Sequence, residues 1–384
     1  MNKTIAVFFG GQSTEHDISI ITALSAVIKP LELTKKFTVV PVYIAKDGKW
    51  FSDDKLKDIS LFRGHDIDEF CAKAKPVAVV FDGGMVLRKS GLKNKDIRID
   101  VAFPAMHGAY GEDGSLMGLL RMSGIPFVGL DMQASVISMD KVLAKQVAQV
   151  NDILTPKFVF FSKAEFQSNQ DLVIKKVTDS LKYPLFVKPP HLGSSIGIAK
   201  VNNDSELINA IEVAAYYDER ILVEESVENL IEITVPIIGN EIMQPALAER
   251  PLLHDDKFFD FETKYIGDGQ KGGGKKSGSQ GYSELPAKLP GGLYAGCIDV
   301  AQSVYRAVGC EGIARIDLLI DAKTKSIFFN EINPLPGDLY AHNWRASGVS
   351  AVELVSRLVE LAEERFARNQ KIATTFSSNF LSQF

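Results

Sequence analysis

IARIDLLIDAKTKSIFFNEIN, residues 313–333, has the pattern of two apolar strands separated by the turn-forming residues 321–324. A hairpin over this stretch would bring Asp317 beside Glu331 and Asn333. Two carboxylates and a carboxamide offer the oxygen ligands that Mg²⁺ prefers, and water and substrate phosphates usually supply the rest. The stretch therefore predicts a magnesium site. The competing interpretation is a solvated hairpin with acidic residues at its mouth by chance.

Length and composition limit the class of protein. A chain of 384 residues with 46% apolar content is too long for one ordinary domain and predicts two or three. A net charge of -5 argues against nucleic acid as a partner. No apolar run approaches the roughly 20 residues of a membrane span, and the start leads directly into a strand rather than a signal peptide. We therefore predict a cytoplasmic protein that binds neither nucleic acid nor membrane.

Cysteine content argues against two kinds of structural support. The three cysteines, Cys71, Cys297 and Cys310, are odd in number and contain no Cys-x-x-Cys pair. This number and spacing therefore indicate neither a disulfide framework nor a zinc site. Buried free thiols are the predicted role.

The opening of the chain predicts an open parallel sheet. The apolar run 4–9 is followed by Gly10-Gly11 and then by a helix from about Ile18 to Ile28, an order typical of parallel α/β folds. Strands at 38–44, 77–81 and 101–104 are predicted to continue this sheet, with a helix at 115–123 and a short strand at 126–128. We predict three domains and a tail, with the bounds 1–128, 129–227, 228–368 and 369–384.

The later parts predict mixed α+β domains. In the second domain, small strands joined by short turns favour an antiparallel sheet. The predicted strands are 158–161, 185–188, 196–200 and 221–225, with a helix at 205–215. The third domain is predicted to contain a strand at 231–238, a helix at 292–307, the hairpin, and a last helix at 351–365.

A glycine- and serine-rich loop, KPPHLGSSIG at residues 188–197, follows one predicted strand and leads into the next. Glycines let a turn expose its N–H groups to phosphate, serine hydroxyls add donors, and Lys188 adds charge. The loop lacks the Walker ending, and alone it is more often a surface turn. Its combination with Lys141, the carboxylate pair Glu224-Glu225 and the metal hairpin favours a nucleotide site.

Seven motifs in order resemble the D-alanine:D-alanine ligases of the ATP-grasp superfamily, from Thr4 to about Arg365. They are FGGQSTEHDIS (9–19), MHGAYGEDG (106–114), MDK (139–141), VK (187–188), GSSIG (193–197), KY (264–265) and the hairpin (315–333). The resemblance implies an ATP-grasp fold of α/β class, with a Rossmann-like N-terminal sheet and two α+β domains that enclose ATP. It implies activation of one D-alanine carboxylate as an acyl phosphate, which the amine of a second D-alanine attacks, for peptidoglycan precursor synthesis.

The resemblance also implies site residues and partners. Asp317, Glu331 and Asn333 would hold two Mg²⁺ or Mn²⁺ ions. ATP would contact Lys141, Lys188, Gly193, Ser194, Ser195, Glu224, Glu225, Val227, Glu232 and Phe258. The resemblance assigns catalytic roles to Glu15, Ser194, Tyr265 and Arg315. It assigns substrate binding to Glu15, His107, Lys264, Gly337 and Asp338. Arg315 would stabilise the tetrahedral oxyanion. A hydrogen-bonded closure of Glu15, Ser194 and Tyr265 would exclude water from the acyl phosphate. A homodimer is the predicted assembly.

Some of these residues have simpler interpretations. Taken by itself, Glu15 is interpreted as a cap on the helix that follows. Tyr265 taken by itself is interpreted as a half-buried packing residue. His16, His65 and His254 are predicted to lie on the surface. The glycine-rich segment 267–281, with seven glycines, is predicted to be a flexible loop that closes over bound substrates.

The segment after Asn333 departs from the family pattern, because it reaches Trp344 several positions sooner. The shortest alignment puts Asp338 where the family has a hydroxyl that helps bind the carboxylate of the second substrate. Two facing carboxylates repel each other unless one is protonated or one turns away. Either Lys264 alone recognises a second D-alanine, or the acceptor differs.

Three alternatives therefore remain. An altered acceptor, such as another amino acid, a hydroxy acid or an amine, is the main rival to a second D-alanine. By the resemblance, Tyr265 disfavours a hydroxy acid, because ligases that make the ester-type product usually differ at that position. A non-catalytic nucleotide-binding module is disfavoured because the lysines and metal ligands are retained.

Overall fold

The computed structural model describes residues 2–89, 96–252 and 283–384. In chain order the strands are β1 (Lys3–Gly10), β2 (Phe37–Ile44), β3 (Trp50–Phe51), β4 (Val77–Phe81), β5 (Met85–Lys89), β6 (Ile97–Ile99), β7 (Val101–Pro104), β8 (Phe158–Ser162), β9 (Leu185–Lys188), β10 (Ala199–Val201), β11 (Arg220–Glu225), β12 (Leu230–Gly239), β13 (Met243–Pro245), β14 (Arg250–Pro251), β15 (Ser283–Glu284), β16 (Gly312–Asp321) and β17 (Ile327–Asn333). The α-helices are α1 (His16–Ile21), α2 (Lys29–Leu33), α3 (Asp66–Lys73), α4 (Ser115–Ser123), α5 (Met132–Met139), α6 (Lys141–Val150), α7 (Lys163–Ser168), α8 (Gln170–Ser180), α9 (Asp204–Tyr217), α10 (Leu293–Val308), α11 (Ala341–Ala346) and α12 (Ala351–Asn369).

The N-terminal sheet has the strand order β3-β2-β1-β7. Strands β2 and β7 run parallel to β1, and only the short edge strand β3 is antiparallel. The last six residues of β1 are all buried, as expected for a parallel strand covered on both faces. The predicted open parallel sheet is confirmed.

The first helical segment is longer than predicted. Helix α1 continues through a π-helical stretch, Thr22–Ile28, into α2. Single π turns are rare and often lie at functional sites. At its start, His16 is buried rather than on the surface as predicted, because its ring bonds the carbonyl of Gly11 at 2.6 Å and the hydroxyl of Tyr43 at 3.1 Å. His65 is exposed as predicted.

The prediction that residues 77–81 continue the parallel sheet is wrong. Strand β4 pairs antiparallel with β5, which pairs with β6 in a separate sheet. The cause is local: Asp82-Gly83-Gly84 follows the strand at once, and both glycines have positive φ. Such a turn folds the chain back as a hairpin instead of allowing a crossover. The predicted strand at 126–128 is reduced to one bridge between Phe127 and Ala102.

The central sheet is antiparallel, as predicted, with the order β10-β9-β11-β8. Strand β10 begins only at Ala199, three residues later than predicted, because the glycine-rich turn extends to Gly197. The C-terminal sheet has the order β13-β12-β16-β17 and contains the predicted metal hairpin, residues 313–333. The predicted domain boundaries remain a prediction.

One apolar core joins the two ends of the chain. Residues of β1 and the first helical segment pack with Leu335, Leu339, Trp344 and the inner face of α12. Trp344 is completely buried. Cys297 and Cys310 are buried free thiols, as predicted, and Cys71 is partly buried. Within the described ranges, no helix combines the length and apolar character needed to cross a membrane.

Candidate active site

The metal hairpin has the predicted pairing. Strands β16 and β17 place Asp317 opposite Glu331 and Arg315 opposite Asn333. A register shift after Asp317 leaves Asn330 outside the regular pairing, and bulges of this kind re-aim side chains next to active sites. The Asn330 carboxamide oxygen accepts a 3.3 Å hydrogen bond from Lys188 Nζ. Sequence reasoning missed Asn330 because periodicity does not reveal a bulge.

Asp317 is held by two side chains of the same hairpin. Arg315 donates to both of its carboxylate oxygens, at 2.7 and 2.6 Å, and Asn333 Nδ2 donates at 2.9 Å. Burial opposes the charge of Arg315, but Asp317 and Tyr340 outweigh it, so that the pKa of Arg315 lies well above its ordinary value. Arg315 also lies 5.0 Å over the Tyr340 ring. A guanidinium fixed in this way is a permanent cation at the hairpin.

Lys141 links the hairpin to the glycine-rich loop of residues 188–197, called the phosphate loop here after its predicted role. Its Nζ lies 3.1 Å from Glu331 Oε2 and donates to the carbonyl of Leu192 at 2.8 Å. Lys141 begins α6, and the preceding Asp140 caps that helix by accepting from the N–H groups of Val142 and Leu143. The cap fixes the direction in which Lys141 leaves the helix.

Glu224 is buried between two lysines. Its Oε1 lies 2.5 Å from Lys188 Nζ and its Oε2 2.9 Å from Lys145 Nζ. Burial alone would raise the pKa of Glu224, but the two lysines outweigh it and lower the pKa to about 2. Burial lowers the pKa of Lys145. The carboxylate is thus engaged by cations, and its predicted contact with adenine remains a prediction.

Lys145 is a site residue that sequence reasoning missed. Its side chain is 0% exposed, which is rare for a lysine unless it is paired. The available signal was its spacing, since residues four apart share one face of a helix and Lys145 lies four positions after Lys141. A buried lysine beside Glu224 offsets the negative charge that faces Lys188.

The phosphate loop contacts the N-terminal part of the chain at Glu15. Ser194 Oγ donates to Glu15 Oε1, and the Glu15 side chain makes no capping bond to the helix that follows. The interpretation of Glu15 as a simple cap is therefore wrong. A side chain at Gly193 would meet the Glu15 carboxylate at 3.1 Å, so a larger residue there would need Glu15 to shift by a few tenths of an ångström.

His107 is buried and contacts the π-helical stretch Thr22–Ile28. Its Nε2 lies 2.9 Å from Thr22 Oγ1. Burial, with a further contribution from Arg315, lowers the pKa of His107 to about 4. Glu112, 3.9 Å from the ring, accepts hydrogen bonds from the N–H groups of Gly108 and Leu335. Glu112 therefore ties the 106–114 motif to the segment after the hairpin.

The shortened segment adopts an unusual backbone. Asp338, Leu339 and Tyr340 have φ of 52°, 51° and 53°, a left-handed conformation that non-glycine residues seldom adopt. The Asp338 N–H donates to Thr22 Oγ1 at 3.1 Å, and Ser25 Oγ donates to the exposed Asp338 carboxylate at 2.9 Å. The side chain thus turns toward the N-terminal helical segment, which is one of the two ways to relieve repulsion.

Some of the remaining predicted site residues lie within the described ranges and others lie outside them. Glu232 lies close enough to Lys188 to contribute to its raised pKa, against the effect of burial. Glu225 points away from Glu224 along the strand and accepts from the N–H of Lys182 at 3.0 Å. Partly buried positions are occupied by Ser195, Val227 and Gly337. Outside the described residues lie Phe258, Lys264, Tyr265, His254 and the predicted loop 267–281.

The fold and the lysine–carboxylate site define an ATP-grasp enzyme. Family models match residues 4–130, as the D-ala D-ala ligase N-terminus, and residues 147–360, as the D-ala D-ala ligase C-terminus. The D-alanine--D-alanine ligase of Chloroherpeton thalassium is 35% identical over 96% of this chain and 98% of that protein. That of Chlorobium chlorochromatii is 36% identical over 95% of this chain and 99% of that protein.

Solved structures agree with these relatives. The D-alanine-D-alanine ligase from Coxiella burnetii has a TM-score of 0.79 and 27% identity, with 96% of each chain covered. VanG D-Ala:D-Ser ligase from Enterococcus faecalis has a TM-score of 0.78 and 31% identity, covering 94% of this chain and 100% of that one. The chain belongs to the D-alanine–D-alanine ligase family. It is an ATP-dependent ligase that forms a carbon–nitrogen bond, with the family's general use of ATP and a divalent metal ion.

Proposed function

We propose that this ligase joins two D-alanine molecules at the expense of ATP, for peptidoglycan precursor synthesis. The observation that carries the proposal is the double contact of Lys141 with the phosphate loop and with Glu331. One cation thereby connects the groups suited to ATP phosphates with those suited to a metal ion. The Ser194–Glu15 contact brings the N-terminal domain to the same place.

The chemistry explains why these groups must meet. A carboxylate is a poor electrophile, so one of its oxygens first takes the γ-phosphoryl group of ATP and ADP leaves. The amine of the second D-alanine then attacks the carbonyl carbon, loses a proton, and expels phosphate. Phosphoryl transfer depends mainly on positioning and on stabilisation of charge, and both lysines serve that purpose.

The hairpin fits a divalent metal ion by its donor chemistry. Asp317, Glu331 and Asn333 supply oxygen donors, and across the described ranges no group of three His, Cys, Asp or Glu side chains forms a fuller cage. A site of this kind leaves coordination positions for water and phosphates, as Mg²⁺ prefers. We assign two Mg²⁺ or Mn²⁺ ions here, which would neutralise charge on the transferred phosphoryl group.

The family resemblance suggests the other roles. Lys141, Lys188, Gly193, Ser194 and Ser195 contact the ATP phosphates. Glu232 binds the ribose, and adenine lies near Glu224, Glu225, Val227 and Phe258. Glu15 binds the ammonium of the first D-alanine and His107 lies near its carboxylate. Arg315 stabilises the oxyanion, with its orientation set by Asp317.

A product assay tests the proposal. Purified protein with D-alanine, ATP and Mg²⁺ should release one phosphate for each D-alanyl-D-alanine detected by mass spectrometry, and L-alanine in place of D-alanine should give neither product. Phosphate release without dipeptide would contradict the proposal.

Asp338 favours a second candidate, a ligase with the same first substrate and a different acceptor. A carboxylate near the second substrate repels an acceptor carboxylate if it turns inward, and like charges in a desolvated pocket cost several kcal/mol. The structural neighbour named D-Ala:D-Ser ligase shows that this fold occurs with another acceptor. A panel of D-alanine, D-serine, D-lactate and D-alaninamide, an amine that has no free carboxylate, with the parent and Asp338→Ser, separates the candidates. Equal and tight saturation by D-alanine in both proteins rejects the second.

Assembly and location remain proposals of the same kind. We assign a homodimer that acts in the cytoplasm on small-molecule substrates. Sedimentation velocity of the purified protein tests the assembly, and a monomer at micromolar concentration would reject it.

A further inference from the structure

His191 lies inside the phosphate loop and has no part in the roles proposed above. Its ring sits between two carboxylates, with Nε2 3.3 Å from Asp140 Oδ2 and Nδ1 2.9 Å from Asp218 Oδ2. The His191 backbone N–H also donates to Asp218 Oδ2 at 2.9 Å. One residue of the loop is thus held at three atoms by two acidic side chains.

Both carboxylates are themselves fixed. Asp140 caps α6 through its Oδ1, while its Oδ2 lies 2.7 Å from Arg220 Nη1. Asp218 Oδ1 accepts from the backbone N–H of Arg220 at 3.1 Å. Their side chains are only 5% and 7% exposed, whereas that of His191 is 44% exposed. The His191 ring therefore contacts two carboxylates that are themselves held by hydrogen bonds, one at the start of α6 and one just before β11.

The same place also determines where the loop meets the active site. The carbonyls of Pro190 and Leu192, on either side of His191, accept from the backbone N–H and the Nζ of Lys141, at 3.3 and 2.8 Å. Two residues beyond Leu192, Ser194 contacts Glu15. A displaced His191 would loosen the anchor between Lys141 and the part of the loop that carries the phosphate donors.

We propose that His191 in its doubly protonated form is a positioning residue, which clasps the base of the phosphate loop to Asp140 and Asp218 and so holds the loop in the shape that binds ATP. The inference rests on the proposed function, in which this loop contacts the ATP phosphates. His191 itself touches neither nucleotide nor amino acid. It acts through Lys141 and the backbone of residues 190–194.

The clasp should depend on pH. Each ring nitrogen faces a carboxylate, and only the imidazolium can donate from both nitrogens. The bonds to Asp140 and Asp218 raise the pKa of His191 to about 9, against the effect of burial. Arg220, whose Nη1 lies 2.7 Å from Asp140 Oδ2, is the other charged group beside these carboxylates. Since the pKa is raised on docking, the clasp is at full strength below the ordinary value of about 6.5 and is lost as the pH rises through about 9. Partial exposure of the ring reduces the effect.

Calorimetric binding of the non-hydrolysable ATP analogue AMP-PNP, with Mg²⁺ present, provides the test. At pH 7.5 we expect His191→Gln to bind about tenfold more weakly than the parent, the size expected for lost hydrogen bonds to charged groups. Hydrogen exchange should become faster in residues 190–198 and stay unchanged elsewhere. The matched control is His65→Gln, since His65 is exposed and lies 3.6 Å from a single carboxylate, that of Asp68. Its affinity should equal that of the parent.

A pH series distinguishes positioning from simple structural support. Between pH 7.5 and 9.5 the affinity of the parent should fall more steeply than that of His191→Gln. His191→Arg, which keeps a charge that does not titrate in this range, should recover affinity and lose the steeper fall. Equal affinity and equal pH dependence in parent and His191→Gln would overturn this inference alone. If the parent binds no AMP-PNP, the proposed function fails first and the inference fails with it.

Discussion

The metal hairpin and the segment that follows it, residues 334–340, are neighbours in the chain but are held in place by different kinds of contact. In the hairpin, Asp317, Glu331 and Asn333 meet because two strands pair in register. In the following segment, Asp338 is held by Thr22 and Ser25 from the opposite end of the chain. The first region is therefore encoded locally, and the second depends on how the N-terminal domain packs.

The comparison suggests a division of function. The residues proposed to serve the metal ion lie on the paired strands β16 and β17, and two lysines proposed to serve phosphate, Lys141 and Lys188, lie on the capped helix α6 and on β9. The acceptor side is built from left-handed residues that each cost about 1–2 kcal/mol, and distant contacts hold them in that conformation. Chemistry common to the family is thus separated from the part that would set the acceptor.

The largest expected effect is in the hairpin. Glu331→Gln keeps the shape of the side chain but removes the charge that serves the metal ion and Lys141. We expect kcat for dipeptide synthesis to fall on the order of a hundredfold or more, as for other groups that act on developing charge. The measurement is steady-state phosphate release, with the melting temperature as a check on folding.

Asp321→Asn is the matched control in the same hairpin. Asp321 lies at the turn, where its Oδ1 accepts from the N–H of Lys323 at 2.9 Å, and asparagine can keep that bond. Its activity should match the parent. Full activity of Glu331→Gln, or of the parent in excess chelator, would remove the metal assignment.

An intermediate effect is expected on the acceptor side. Thr22 Oγ1 serves both the Asp338 N–H and His107 Nε2 and is almost completely buried. Thr22→Val leaves these partners unsatisfied, at a cost of about 1–3 kcal/mol. Because His107 is assigned to the first D-alanine and Asp338 to the second, we expect the KM for D-alanine to rise about tenfold at both sites, with the KM for ATP unchanged.

Thr178→Val is the control, because among the described residues the Thr178 hydroxyl bonds only to carbonyls of its own helix. It should leave both KM values unchanged. If Thr22→Val raises the KM for ATP as much as that for the acceptor, the separation between the two regions is not functional.

The smallest effect is expected at Ser25. Its bond to Asp338 is exposed, and exposed interactions of this kind contribute about 0–1 kcal/mol. Ser25→Ala should therefore change the acceptor KM by less than about fivefold. A larger rise would mean that Ser25 keeps the Asp338 carboxylate out of the pocket, which would favour the candidate with a different acceptor.

The same contrast explains what the sequence could predict. Alternation and turn residues were sufficient for the hairpin, for α4 and for the central strands, because each of these is determined by neighbouring residues. The sequence predicts the wrong sheet for the strand at 77–81, because an apolar run does not identify the strand with which it pairs. The bulge at Asn330 and the burial of His16 depend on tertiary contacts that periodicity does not report.

The motifs predict which residues belong to the site, but they do not predict the backbone conformation that holds those residues. The motifs predict site roles for Lys141, Lys188 and Glu224, and the structure adds Lys145 through its buried contact with Glu224. The left-handed run at 338–340 could not be predicted, because no residue in Asp-Leu-Tyr favours positive φ strongly. Only the contacts with Thr22 and Ser25 make that conformation understandable.

Oxygen transfer tests the ligase mechanism most directly. D-alanine carrying ¹⁸O in both carboxylate oxygens, incubated with unlabelled ATP and Mg²⁺, should yield phosphate in which each molecule has received one ¹⁸O, and dipeptide in equal amount. The label moves because the carboxylate oxygen that takes the phosphoryl group leaves with it. Phosphate free of ¹⁸O, formed while dipeptide accumulates, would contradict activation of the first D-alanine as an acyl phosphate.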